Sequence, residues 1–241
     1  MRHGDVEREL KLIRIVASPE NELVAVKSVP PVFNVIGRGT DAIVVSHPEF
    51  PGVVFKVYAN DRIDKKEKEW AVYQKLGDCP FFARCYGYGD HYLILSHEKG
   101  WTLYECLERG VAIPERVIHD VKAAMDYARR KGLNPRDIHL KNVLLQKGRA
   151  KLIDVSEYLE TGQDHRWEHL VEAYYAYYPY IRGRKIPRWL MERVKKAYLH
   201  QREKTFSLPS FVQSMKQRIG IDWLKQEDNG KEQEDVSQSN R

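Results

Sequence analysis

Cysteine is scarce: the 241 residues hold three, Cys79, Cys85 and Cys106. An odd number without C-x-x-C spacing excludes a disulfide scaffold and a structural zinc site, and reads as buried thiols in a reducing compartment. Long apolar runs are missing as well. No stretch approaches the roughly 18 residues that cross a bilayer, and the N-terminus is charged from Arg2 onward, so the expectation is a cytoplasmic protein with neither signal peptide, anchor nor membrane partner. Internal repeats are absent. From Lys225 to Arg241 almost nothing apolar is left among Gln, Glu, Asp, Asn and Ser, which predicts a disordered tail.

With 42% hydrophobic residues the chain can bury one substantial core or two small ones. Residues up to about Pro31 read as a short helix, Val6 to Ile13, and a strand, Glu22 to Val26. Two apolar runs follow, Val32 to Ile36 and Ala42 to Val45, joined by I-G-R-G-T-D-A-I-V from Ile36 to Val44. Two strands with a glycine-rich turn fit this pattern. Glycines at positions 37 and 39 let a backbone approach phosphate oxygens and aim N–H groups at them, and Ala42 is small enough to allow the same approach. Taken alone, two glycines specify only a turn.

Lys56 ends the V-V-F-K run in the apolar strand Val53 to Val57, where a charge on a half-buried sheet face calls for a partner. In Asp64 to Leu76 the apolar residues Trp70, Val72, Tyr73 and Leu76 form an approximate helical stripe, and Glu69 stands beside it. Glu67 lies on the charged side. Lys56 as an edge-strand lysine and Glu69 as a solvated helix charge is the plain alternative.

The strongest single motif is P-R-D-I-H-L-K-N, Pro135 to Asn142, followed by V-L-L, a turn at Lys147-Gly148-Arg149, and K-L-I-D ending at Asp154. Such a hairpin gathers Asp137, Asn142 and Asp154 at one end of two apolar strands. There a carboxylate and an amide oxygen can bind Mg²⁺, a hard cation suited to oxygen ligands, while the other carboxylate orients a hydroxyl. Earlier, Y-L-I-L (Tyr92 to Leu95) reads as a buried strand running into Ser96–Gly100 and a helix from Thr102 to Leu107. Val117, Val121, Ala124 and Ala128 then mark a helix between Pro114 and Lys131, stopped by Gly132.

In this order and spacing Lys56, Glu69, Asp137, Asn142 and Asp154 make the chain resemble the protein-kinase-like superfamily, the minimal RIO-like and small bacterial kinases more than the large eukaryotic ones. The resemblance implies an α+β, bilobal fold: a small antiparallel sheet with one helix over 1–95 (1–30 being an extension), a hinge at 96–100 and a mainly helical lobe over 101–224. It implies ATP and Mg²⁺. Ile36, Gly37, Arg38, Gly39, Thr40, Ala42 and Val44 would cover the nucleotide, Lys56 would hold its phosphates and pair with Glu69, Asn142 and Asp154 would bind the metal, and Asp137 would be the catalytic base or hydroxyl-orienting residue.

The departures are specific. Pro135 replaces the usual histidine, His139 the usual lysine, and Val155-Ser156 follows Asp154 instead of Phe-Gly. His139 and Lys141 are two further candidates for steadying the transferred group, Lys141 being equally a solvated loop charge. No A-P-E follows, and Glu157 to about His165 is short for an activation loop, which leaves loop phosphorylation and the usual peptide platform in doubt. The expected function is transfer of the γ-phosphoryl group to a Ser/Thr hydroxyl of protein, the chain itself included, by a monomer. Two alternatives stand beside it: a kinase of a small-molecule hydroxyl, and a pseudokinase or ATP-dependent binding module in ribonucleoprotein work. The net charge of +6 and the basic stretch Arg182 to Lys204 allow contact with nucleic acid, or form the solvated face of a helix whose apolar side is Trp189, Leu190, Val194 and Ala197. The E-A-Y-Y-A-Y-Y-P-Y run from Glu172 reads as helix packing.

Overall fold

A computed structural model describes residues 3–20, 22–201 and 206–219; the tail 225–241 expected to be disordered lies outside them, as do Arg202 and Lys204 of the basic stretch. Helix α1 (His3–Leu10) leads into a two-stranded antiparallel pair, β1 (Arg14–Val16) and β2 (Ala25–Ser28). The bounds differ from the sequence reading: the helix ends at Leu10 and the strand runs over Ala25–Ser28, paired with β1 in a sheet of its own. The reason is where the apolar residues go. Val6, Leu10, Ile13 and Val24 all pack on one face of the main sheet, against Ile43, Val45, Phe55 and Val57, so the segment covers that sheet as a layer. The short helix of the extension is α1, and α2 is the one α-helix beyond it.

The main sheet is antiparallel and five-stranded, with β3 (Asn34–Arg38), β4 (Ala42–Ser46), β5 (Val53–Tyr58), β6 (Cys85–Tyr88) and β7 (Tyr92–Ser96) in the order β3-β4-β5-β7-β6. Alternation sorts its faces. Ile43, Val45, Phe55 and Val57 meet the N-terminal layer, whereas Ala42, Val54, Tyr58, Leu93 and Leu95 join the larger core. Helix α2 (Ile63–Leu76) lies between β5 and β6 in sequence. Its buried residues include Lys66, Glu69, Tyr73 and Leu76, at spacings of three and four, so Glu69 sits inside the buried stripe and not beside it.

The rest is mainly helical, with one small sheet. Strand β8 (Trp101–Thr102) precedes α3 (Leu103–Arg109), whose N-terminus Thr102 closes with a capping box: its hydroxyl accepts from the Glu105 N–H, and the Thr102 N–H donates back to Glu105. Gly100 sits so tightly under β9 that a Cβ there would come within 2.6 Å of the Leu145 carbonyl oxygen. Helix α4 (Arg116–Arg130) buries Val117, Val121, Ala124 and Ala128 completely. β9 (Val143–Gln146) and β10 (Arg149–Leu152) form a hairpin in which Lys147 and Gly148 both take positive φ, 49° and 78°, the geometry of a type I′ turn.

Helices α5 (Arg166–Ile181), α6 (Arg188–Leu199) and α7 (Leu208–Ile219) complete the chain among the described residues. The tyrosine run lies in α5, where Tyr178 is buried and stacked on Tyr174. The expected apolar face of α6 is corrected: Leu190 and Met191 are buried, while Trp189 is 57% exposed and Val194 is exposed too. No helix among the described residues is long and apolar enough to cross a membrane.

Candidate functional site

The main sheet places one row of residues side by side across its inner face. Gly37 pairs with Val44, Val44 with Lys56, and Lys56 with Leu93. Because side chains alternate along a strand, Lys56 points toward α2 and the larger core. There its ammonium meets Glu69 Oε2 at 2.6 Å and Asp154 Oδ1 at 3.3 Å. Its side chain is 12% exposed and that of Glu69 fully buried. Burial works against the lysine's charge, but the carboxylates of Asp154 and Glu69 together outweigh it and hold the ammonium above the ordinary lysine value. The Tyr58 hydroxyl also donates to Glu69 Oε2, a partner the sequence did not indicate.

Asp154 lies two residues beyond β10, not at its end. Burial pushes its carboxyl up, and Lys56 and the Ser156 N–H, which donates to Oδ1 at 3.1 Å, more than reverse that, leaving it below the usual carboxylate range. The Lys56 and Ser156 N–H bonds both reach Oδ1, and the Ser156 hydroxyl bonds the carboxylate as well. Asn142 is joined to this segment through the Ile153 N–H, which donates to its carbonyl at 3.1 Å. Its Nδ2 donates to the Asp137 carbonyl at 3.0 Å, so its side-chain oxygen is the atom left over.

Asp137 has a φ of +55°, a left-handed conformation that costs a non-glycine residue roughly 1–2 kcal/mol. Neighbours hold it there. Its N–H donates to Asp164 Oδ2 at 2.7 Å, its carbonyl accepts from Asn142, and Oδ1 of its side chain accepts from the guanidinium of Arg166. Burial, against the pull of Arg166 and with help from Asp154, pushes the Asp137 carboxyl up to about 6. Burial and the nearby Arg166 charge push His139 down to about 4, and its Nε2 lies 3.9 Å from Asp137 Oδ1. Lys141 turns elsewhere: it pairs with Glu192 at 3.2 Å and lies over the Tyr104 ring.

The glycine-rich segment is only partly gathered into this site. Gly37 is inside β3, not in the turn, and the turn is closed by the Gly39 N–H donating to Ala42 O at 2.8 Å. Ala42 and Val44 share the inner face with Lys56, but Ile36 is 48% exposed, Arg38 donates to the Val24 carbonyl at 2.7 Å, and the Thr40 hydroxyl bonds Asp41. The fold itself does not demand these glycines. A Cβ at Gly37 would meet Val44 at an ordinary 3.4 Å, and one at Gly39 would stand 3.4 Å from the Ala42 carbonyl.

Three further residues hold the site. Asp164 ties Asp137 to the start of α5, where it also accepts from the Arg166 N–H at 2.9 Å. Asp120, buried on α4, accepts from Arg149, Arg116 and the Ala150 N–H and so fastens the β9–β10 hairpin. Asn134 donates to the carbonyls of Glu160 and Gly162 at 2.8 and 2.9 Å and pins the short segment before α5. Only Asp120 left a trace in sequence, a carboxylate interrupting an otherwise apolar helix face.

The oxygen donors of Asp154 and Asn142 fit Mg²⁺, which takes one or two protein ligands and completes its shell with water and phosphates. Among the described residues no group of three His, Cys, Asp or Glu side chains forms a denser metal site. Over 171 residues, 70% of this chain and 79% of the other, the sequence is 35% identical to a protein of Bacillus subtilis (strain 168) named "Putative serine/threonine-protein kinase YrzF". No protein-family model matches the chain.

Proposed function

The chain belongs to the family of serine/threonine-protein-kinase-like proteins, and on that premise we propose that it is a small, atypical kinase with RIO-like features, transferring the γ-phosphoryl group of ATP to a Ser or Thr hydroxyl of protein. The observation that carries the reading is Lys56, a lysine on a sheet strand, held between a glutamate of α2 and an aspartate 98 residues away. A fold with no use for that lysine would replace it with an apolar residue, because burying charges costs more than their attraction usually returns.

In this reading residues 1–95 and 101–224 are two lobes, with the adenine against the backbone of the 96–100 hinge. Lys56 aligns the α- and β-phosphates, and Glu69 holds Lys56. Asp154 and Asn142 hold Mg²⁺, which when bound neutralises charge on the phosphates. Asp137 accepts the hydrogen bond of the acceptor hydroxyl and aims its oxygen. That oxygen bonds to the γ-phosphorus as the bond from phosphorus to the bridging oxygen breaks, ADP leaves with that electron pair, and the hydroxyl proton passes to Asp137. Catalysis rests on positioning and charge neutralisation.

The test is heat stability with and without nucleotide. A ligand at about 100 times its dissociation constant adds roughly 2.7 kcal/mol, or about 5–11 °C in the melting midpoint for a chain of this size. Wild type should show this shift with ATP and Mg²⁺, and Asp154→Asn should keep a metal-free response while losing most of the Mg²⁺-dependent part. No nucleotide shift up to several millimolar would sink the reading.

A further inference from the structure

Phosphoryl transfer spreads negative charge over three equatorial oxygens, and a cation placed where that charge develops lowers the barrier. At the Asp137 end of this site the catalytic segment does not supply one. Lys141 is drawn away to Glu192, and the Arg136 guanidinium donates to the Thr161 carbonyl. Lys56 belongs to the opposite end, with Asp154 and Glu69. Among the described residues Arg166, the first residue of α5, is the one Lys or Arg in ion-pair contact with Asp137.

We propose that Arg166 is a catalytic residue whose guanidinium binds the transferring phosphoryl group, its cation arriving from α5 and not from the 135–142 segment. This deepens the kinase reading and rests on it. Three features favour the role. One is placement: Asp164 holds the Asp137 N–H with one oxygen and the Arg166 N–H with the other, so a single carboxylate, itself 5% exposed, fixes the backbones of both residues. A second is access, since the Arg166 side chain is 35% exposed and not sealed into the core. The third is chemistry. A guanidinium carries five N–H donors in a planar fork, and only Nη1 reaches Asp137. Nε faces Asp164 Oδ1 at 3.8 Å, so the donors on Nη2 are the ones that can take phosphoryl oxygens while Nη1 keeps the Asp137 carboxylate turned toward the acceptor. The bond changes are those given above; Arg166 neither gains nor loses a proton and acts as a fixed charge.

The opposite role, a lock that occupies Asp137 and keeps the acceptor out, uses the same contact and predicts the opposite result. A transition-state mimic separates the two without an identified acceptor. Full-length protein is titrated with ADP and Mg²⁺, with and without aluminium fluoride, which stands in for the transferring group. Wild type should bind ADP more tightly when aluminium fluoride is present. Arg166→Ala should bind Mg²⁺–ADP as wild type does and lose most of the added affinity, at least about 10-fold, with Arg166→Lys retaining part of it. In transfer assays kcat should fall roughly 1,000-fold with KM for ATP little changed. Where the alanine variant melts early, Arg166→Lys against Arg166→Gln gives the same comparison with the side-chain length kept. A full aluminium fluoride effect in folded Arg166→Ala, or transfer at or above the wild-type rate, overturns the proposal and leaves the kinase reading intact. A wild type that binds no Mg²⁺–ADP overturns both.

Discussion

Asp120→Ala tests how the hairpin that presents Asn142 and Asp154 is held. The carboxylate is 5% exposed and accepts four bonds: Arg149 Nε at 2.7 Å, Arg149 Nη2 at 2.9 Å, Arg116 Nε at 3.1 Å and the Ala150 N–H at 3.0 Å. Both arginines are more than half exposed and regain water once the partner goes, so their share is the small one of surface ion pairs. The Ala150 N–H is buried in the hairpin and loses its partner, at roughly 1–3 kcal/mol. The loss at Ala150 corresponds to a fall of about 2–12 °C in the melting midpoint at this chain length. Asp120→Asn keeps an acceptor for Ala150 and should lose about half as much.

The pH dependence has a definite sign. Burial raises the Asp120 carboxyl, but the Arg149 fork, the Ala150 amide and Arg116 together hold it below the usual range. A depressed folded value means that its contribution is complete above the unfolded pKa, about 3.9, and is lost as pH falls through the folded value. Differential scanning calorimetry from pH 7 to pH 2.5 should show a constant gap between wild type and Asp120→Asn down to about pH 4, closing below it. A folded Asp120→Ala within 2 °C of wild type at pH 7, or a gap that widens in acid, would refute this account.

With its carboxyl pushed up to about 6 by burial, Asp137 should impose an acid limb on kcat/KM, activity falling as pH drops through about 6. Asp137→Asn should keep nucleotide binding and lose about 100-fold or more in transfer; a flat profile from pH 5 to 7 in the wild type argues against the assignment. Gly37→Ala and Gly39→Ala should melt within about 2 °C of wild type, since neither Cβ meets anything closer than 3.4 Å, yet weaken ATP binding several-fold if the space serves phosphates. Calorimetric titration reads this directly, and unchanged affinity would assign both glycines to the turn alone.

What could be read from the sequence was local. The β9–β10 hairpin announced itself through a Lys-Gly turn between apolar runs, because left-handed turn residues are few and short-range. Helix α4 did so through Val117, Val121, Ala124 and Ala128, and α2 through its apolar stripe. The cost of leaving a charge unpaired on a half-buried strand asked for a partner to Lys56, but it was the resemblance to kinases that named Glu69 as that partner.

The tertiary structure alone decided the rest. Asp164 and Arg166 are single charges in a polar stretch, 27 and 29 residues from the Asp137 they hold, and nothing in their neighbourhood marks them. That the N-terminal extension covers one face of the sheet depended on which layer buries Val6, Leu10 and Val24. Trp189 lies in a helical pattern that predicts burial, yet it is exposed while Leu190 and Met191 beside it are buried. Periodicity is written within one element and survives in sequence. The choice of which charge meets which, and which face finds a partner, is made by chain segments that meet only on folding.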